Sequence, residues 1–182
     1  MRITKQILVR RWALSTLAAA AVFAVLAWSD MRLKTLSGYG TADLQNFSTA
    51  AQYRAAFLLW PSRYAVRAGF DWGLDYLLMP LYAAAFFYSG ILAREGFALR
   101  GSRLARILTT LAAVPIAGAI LDAVENALQL SMMLSAPTDQ MAFTAFTVSS
   151  AKWMAVTVGF LLLAGALLAQ AMERWKKSPP RA

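Results

Sequence analysis

The sequence predicts an all-α integral membrane protein, a four-helix bundle with an extra amphipathic interfacial helix. Of its 182 residues, 59% are hydrophobic, whereas soluble domains hold roughly 45–50%. Four apolar segments, 12–28, 76–93, 107–134 and 141–169, are each near or above the roughly 20 residues that cross about 30 Å of hydrocarbon. The predicted division is an N-terminal segment 1–11, spans 12–29, 70–93, 104–135 and 141–171, loops 30–69, 94–103 and 136–140, and a tail 172–182.

The first span follows the basic segment MRITKQILVRR. A basic segment before an apolar run is also typical of a secretory signal. However, the run ends in Leu26-Ala27-Trp28-Ser29, which has no small-x-small cleavage motif. We therefore expect this helix to be retained in the membrane.

The net charge of +9 comes from basic residues at the ends of the apolar runs. This distribution follows the positive-inside rule and indicates a membrane surface rather than a nucleic acid as the partner. We expect a bacterial inner-membrane protein with both termini cytoplasmic and with the loops 30–69 and 136–140 outside. The residues on which this orientation rests are Arg2, Lys5, Arg10, Arg11, Arg94, Arg100, Arg103, Arg106, Arg174, Lys176, Lys177 and Arg181.

An amphipathic helix is predicted within the first loop, over about 41–60. Thr41 can cap its start and Pro61 ends it. The helix can lie on the outer leaflet or on the ends of the other helices, or it can be a packed connection without lipid contact. Its apolar stripe, at spacings of three and four, is Leu44, Phe47, Ala51, Ala55 and Leu58.

The chain contains no Cys and no His. This composition excludes thiol nucleophiles, disulfide exchange, His-ligated haem and zinc hydrolase sites. Carboxylates could offer oxygen ligands to a hard cation, but the spacings D-x-x-x-D and D-x-x-E are common by chance. We predict neither a cofactor nor a metal.

Ionisable residues of three spans fall at one depth. At about 1.5 Å per residue, counted from the cytoplasmic boundary, Asp122 lies about 24 Å deep, Lys152 about 26 Å, and Asp75 and Glu125 about 28 Å. Charges in a bilayer are costly, so these residues should face the bundle interior, near the outer rim. The polar faces predicted by helical spacing are Asp71, Asp75 and Tyr82; Asp122, Glu125, Asn126 and Gln129; and Ser149 and Lys152.

This layer holds one cation and four carboxylates. Lys152 is expected to pair with Asp122 or Glu125, while Arg63 or Arg67, protonation, water or a bound cation would balance the rest. Two interpretations stay open: an interhelical staple or a functional site. Transport through a single copy is disfavoured, since the cytoplasmic half of the spans has no acid or base.

Four motifs occur in a fixed order along the chain: D-x-x-x-D-Y (71–76), P-L-Y (80–82), D-x-x-E-N (122–126) and Lys152. This order resembles that of uncharacterised small four-helix bacterial inner-membrane proteins. The resemblance implies no assigned activity. It would cover about residues 41–170. At the level of architecture alone, a four-helix bundle with acidic residues is similar to the emopamil-binding and sigma-2 receptor group. That likeness implies a pocket for sterol-like or cationic amphiphilic ligands.

Two functions follow from the polar layer. The first is binding of a small amphiphile, lipid or cation, or of a membrane partner or second copy, by Asp71, Asp75, Tyr82, Asp122, Glu125, Asn126 and Lys152. The second is an enzyme acting on an outer-leaflet lipid, with Glu125 or Asp122 as the general acid/base. Lys152 would then stabilise the partner carboxylate, and Arg63 or Arg67 would contact an anionic head group.

Overall fold

The computed structural model describes residues 4–97 and 102–177. These residues form helices and no strand, which confirms the predicted helical bundle. Residues 1–3, 98–101 and 178–182 lie outside the described residues. They belong to the predicted N-terminal segment, second loop and tail, and they include Arg2, Arg100 and Arg181. The helices are α1 Lys5–Ser37, α2 Thr41–Leu44, α3 Ala50–Leu58, α4 Ser62–Gly96, α5 Arg103–Leu134 and α6 Asp139–Lys177.

Four of these helices, α1, α4, α5 and α6, are long and apolar enough to cross a membrane. The shortest, α5, has 32 residues, which is about 48 Å at 1.5 Å per residue. Each helix therefore extends beyond the roughly 30 Å of hydrocarbon. The chain is a multi-pass membrane protein.

The helix α4 is the centre of the bundle. It packs against α1, α5 and α6, and α5 also packs against α6, whereas α1 packs mainly on α4. Small residues allow these close approaches: a Cβ added at Gly90 of α4 would lie 2.6 Å from the Cβ of Ala112 in α5. Such small-residue contacts are the usual means by which membrane helices pack closely.

The connection between α1 and α4 contains two short helices, where the sequence pattern predicted one over 41–60. Helix α2 ends at Leu44, and Thr49 caps the start of the separate helix α3. The Thr49 hydroxyl accepts a hydrogen bond from the backbone N–H of Gln52, and the Gln52 side chain accepts one from the N–H of Thr49. This reciprocal cap satisfies N–H groups that a helix start otherwise leaves unpaired.

The short helices cover one end of the bundle, which we call the capped end. There Tyr53 is fully buried and donates a hydrogen bond to the Leu44 carbonyl at 3.0 Å. Burial raises the pKa of Tyr53, which keeps the phenol protonated as a donor. Leu58, in contrast, is 83% exposed. Around Tyr53 the apolar cluster contains Leu33, Leu44, Ala56, Trp60, Ala68, Trp72, Met132, Ala142 and Ala145.

The opposite end, which we call the basic end, holds the start of α1 and the end of α6. Lys5 and Glu173 form an ion pair there. The Arg94 guanidinium of α4 donates a hydrogen bond to Thr109 of α5 at 3.0 Å. Further basic side chains at this end are Arg10, Arg11, Arg103, Arg106 and Arg174.

Candidate functional site

A buried ion-pair cluster joins α5 to α6. The ammonium nitrogen of Lys152 lies 3.0 Å from Asp122 Oδ1 and 2.6 Å from Glu125 Oε2. Asp122 and Glu125 can both face Lys152 because residues three apart share one face of a helix. The hydroxyl of Tyr82 in α4 donates a hydrogen bond to Asp122 Oδ2 at 3.1 Å. The cluster thus ties three helices together.

Glu125 has a partner on each carboxylate oxygen, and its Oε2 is held by the charge of the Lys152 ammonium at 2.6 Å. Its Oε1 accepts a hydrogen bond from Gln129 Nε2 at 2.8 Å, and Gln129 Oε1 in turn accepts one from the indole N–H of Trp72 at 3.0 Å. Glu125 has no exposed surface. A buried polar chain of this kind stabilises the bundle only because its members have partners.

A cavity of about 690 Å³ lies beside this cluster, between α1 and α6, with α4 and α5 behind it. Its wall changes character along the helix axes. Toward the basic end the wall is apolar and includes Ala19, Ala20, Leu78, Phe86, Phe160 and Leu163. Toward the capped end it is polar and includes Asp30, Asp71, Asp75, Asp122, Asn126 and Lys152.

Two contacts tie α6 to neighbouring elements, one at each end of the bundle. At the capped end, the indole N–H of Trp153 in α6 donates a hydrogen bond to Gln45, just after α2, at 2.8 Å. At the basic end, the Lys5–Glu173 ion pair joins α6 to α1. Between these contacts α1 and α6 pack on α4 rather than on each other. The gap between them therefore opens sideways, in the direction of the hydrocarbon.

Asp75 and Asp71 are the carboxylates of α4 that face the cavity. Asp75 is half-buried, and its Oδ2 accepts a hydrogen bond from Asn126 Nδ2 at 2.8 Å. Asp71 has no exposed surface, and neither of its oxygens has a donor at full hydrogen-bonding geometry. The Ser29 side chain lies close enough to act as a hydrogen-bond donor to Asp71, and Arg67 acts on it only through its charge. The Arg67 Nε–H is directed at the Ser29 carbonyl, 3.3 Å away.

The described charges around the cavity do not balance. Lys34 pairs with Asp43 at 2.6 Å, and Lys152 serves two carboxylates. The acidic side chains that line the cavity or pair with its lining therefore outnumber the basic ones: Asp30, Asp43, Asp71, Asp75, Asp122 and Glu125 against Lys34, Arg67 and Lys152.

The structure brings most of the sequence-predicted site residues together. Glu125 lies behind the cavity wall, and the two arginines do not line the cavity. The Arg63 guanidinium is exposed and lies 4.7 Å from the ring centre of Tyr64, while Arg67 lies 5.7 Å from that of Trp28. The predicted residues that do line the cavity are Asp71, Asp75, Tyr82, Asp122, Asn126 and Lys152.

Sequence reasoning missed the contribution of α1. Asp30 lines the cavity, and its Oδ1 accepts hydrogen bonds from the Thr41 hydroxyl at 2.8 Å and the Ala42 N–H at 3.1 Å. The available signal was a carboxylate two residues after Trp28, directly at the end of an apolar run. Gln45 was also missed, because its partner Trp153 lies on another helix.

Within the described ranges, no group of three or more His, Cys, Asp or Glu side chains is arranged to hold a metal ion. No protein-family model, curated protein or solved structure matches this chain. The fold and the cavity define a multi-pass helical membrane protein, and its geometry alone carries the functional argument.

Proposed function

We propose that this is a bacterial inner-membrane protein that binds one small single-chain amphiphile in the cavity between α1 and α6. The observation that carries the proposal is the cavity itself, apolar along its length and rich in carboxylates at one end. An amphiphile matches this arrangement because its tail can occupy the apolar part and its head the polar part. Ligand sites are commonly concave, mostly apolar and about 300–1,000 Å³ in volume.

The orientation follows from the basic end. Basic residues concentrate on the cytoplasmic side of membrane proteins, so the basic end and both termini are assigned to the cytoplasm. The capped end, with α2 and α3, then faces the outside. This assignment puts the carboxylates of the cavity near the outer leaflet and the ligand tail deeper in the bilayer.

The length of the cavity suits a hydrocarbon chain. Its α1 wall runs from Thr16 to Lys34, which is about 27 Å at 1.5 Å per residue. An extended single chain can lie along this wall. The gap between α1 and α6 gives such a ligand access from the bilayer.

Acid/base catalysis on a lipid draws less support from the geometry. Glu125 does not line the cavity, and Asp122 is held by both Lys152 and Tyr82. A general acid or base must come within hydrogen-bonding distance of its substrate, and Glu125 is separated from the cavity by its partners. Arg63 is not positioned for a head group there.

The experiment is thermal unfolding of the purified protein in detergent with fractions of a bacterial lipid extract. A ligand that binds only the folded protein raises the unfolding temperature. Ala20 and Ala24 are both exposed on α1, but only Ala20 lines the apolar wall. We expect a fraction to stabilise wild type and A24W but not A20W, in which the indole should occupy the cavity. The proposal is contradicted if every fraction stabilises A20W as much as A24W, or if none stabilises wild type.

A further inference from the structure

We propose that the head group bound in this cavity is a protonated primary amine and that the Asp71 carboxylate receives it, with Asp75 beside it. This inference rests on the proposed function and specifies its ligand. It assigns head-group recognition to α4 rather than to the Lys152 cluster.

The first observation is the incomplete hydrogen bonding of Asp71. The residue is fully buried and lines the cavity, and neither carboxylate oxygen has a donor at full hydrogen-bonding geometry; the Ser29 side chain is the one described group close enough to act as a hydrogen-bond donor. A buried acceptor without a donor is costly, and a charged one is more so. Donors from a ligand would remove this cost. Asp71 is therefore the acceptor in the cavity wall that gains most from a bound N–H group.

The neighbouring carboxylates differ in what they already hold. Asp122 and Glu125 share the Lys152 ammonium, and Asp30 accepts two hydrogen bonds through Oδ1. Asp75 accepts a hydrogen bond from one described side chain, that of Asn126, through its Oδ2. Asp71 and Asp75 lie four residues apart on one face of α4. They form the part of the wall that carries negative charge without a paired ammonium.

Arg67 is the cation closest along the chain, one helical turn before Asp71. Its Nε–H is used by the Ser29 carbonyl, and the guanidinium gives Asp71 no hydrogen bond. Arg67 lowers the negative potential at Asp71 but leaves its acceptor sites open. A ligand that supplies both a positive charge and N–H donors is complementary to such a site.

The requirement for donors selects the kind of amine. A primary ammonium has three N–H groups, as in lysine, and an alkylamine is protonated at neutral pH as lysine is. A quaternary ammonium carries the charge without a donor and would leave the Asp71 oxygens unsatisfied. A neutral alcohol offers one donor without the charge.

The test uses dodecylamine, dodecyltrimethylammonium and dodecanol, which share a chain and differ in charge and N–H donors. Each is titrated into the purified full-length protein in non-ionic detergent, and the apparent Kd is obtained from thermal stabilisation. Because the ligands partition differently into micelles, each Kd in a variant is compared with that of the same ligand in wild type. The variants are D71N and, as the matched control, D139N, since Asp139 carries the same charge at the capped end but does not line the cavity.

We expect D71N to weaken dodecylamine on the order of tenfold or more, through the loss of charge-assisted hydrogen bonds. It should weaken dodecyltrimethylammonium less, since only the charge attraction is lost, and leave dodecanol within about threefold. D139N should change none of the three. An unchanged Kd for dodecylamine in D71N, or an equal loss for the quaternary ligand, overturns the assignment while the apolar cavity still stands. If none of the three stabilises wild type, the proposed function fails as well.

If D71N does not fold, the role of Asp71 is tested by comparing the ligands on the wild-type protein. In that case Kd is measured after correcting each cationic ligand for its separately determined micelle partitioning. Dodecylamine binding more tightly than dodecyltrimethylammonium supports hydrogen bonding to Asp71, whereas equal or weaker binding overturns it.

Discussion

The Lys152 ammonium lies 2.6 Å from Glu125 Oε2, and both side chains are buried in the centre of the bundle. The contact fixes α5 against α6. Lys152 also holds Asp122, so its charge is shared by two carboxylates of the protein. Among the carboxylates that line the cavity, those of α4 accept the fewest hydrogen bonds from described residues.

Removing the ammonium should destabilise the bundle. In K152M, Asp122 and Glu125 lose their cation, and breaking a buried pair by removing one partner costs roughly 3–5 kcal/mol. The triple variant K152M/D122N/E125Q has no buried charge at these positions and should recover much of that loss. Unfolding temperatures in detergent measure both effects. A K152M protein as stable as wild type would show that the pair does not hold α5 to α6.

Two glycines of α4 provide a matched pair for helix packing. A Cβ at Gly90 would lie 2.6 Å from the Ala112 Cβ and 3.1 Å from its Cα, whereas one at Gly73 meets nothing within 4 Å. G90A should therefore lose about 1–3 kcal/mol through overpacking. G73A should be neutral or gain up to about 1 kcal/mol from helix propensity. Equal unfolding temperatures for the two variants would contradict the close contact of α4 with α5.

The orientation can be measured because the chain has no native cysteine. Leu58 at the capped end and Trp175 near the basic end are 83% and 82% exposed. In intact spheroplasts, an impermeant maleimide should label L58C. It should label W175C only after permeabilisation. Labelling of W175C in intact spheroplasts would place the basic end outside and reverse the assignment.

The start of α3 depends on a residue far away in the chain. Asp139 Oδ1 accepts a hydrogen bond from the Ala50 N–H at 2.8 Å, across 89 residues. D139A leaves that N–H unpaired, at a cost of about 1 kcal/mol. Hydrogen exchange should speed up in α3, on the order of fivefold, and stay unchanged in α4. Q140A, which alters an exposed neighbour, is the control; equal exchange in the two variants would rule out the cap.

Much of this arrangement could be predicted from local sequence. The four spans follow from apolar length, and the shared face of Asp122, Glu125 and Asn126 follows from helical spacing. A buried lysine among acids predicts an ion pair, since charge inside a bilayer needs a partner. The structure adds that Lys152 contacts two carboxylates rather than one.

A polar pocket near the outer rim was predicted, but its shape and its α1 wall could not be, because they depend on how whole helices pack. Nothing in the sequence of α1 shows that it packs on α4 and leaves a gap beside α6. Helical spacing in the sequence also places both Asp71 and Glu125 on the inward face of their helices and does not show which of them faces the cavity. The structure separates them: Glu125 is held by Lys152 and Gln129 behind the wall, whereas Asp71 lines the cavity with no donor at full hydrogen-bonding geometry.

The most direct test of the binding cavity is native mass spectrometry of the protein released from mild detergent after incubation with dodecylamine. Wild type and A24W should each retain one added ligand per chain, and A20W should retain none, because its indole occupies the apolar wall that Ala20 lines. Equal retention by A20W and A24W, or no bound ligand on wild type, would contradict the assignment of this cavity as the binding site.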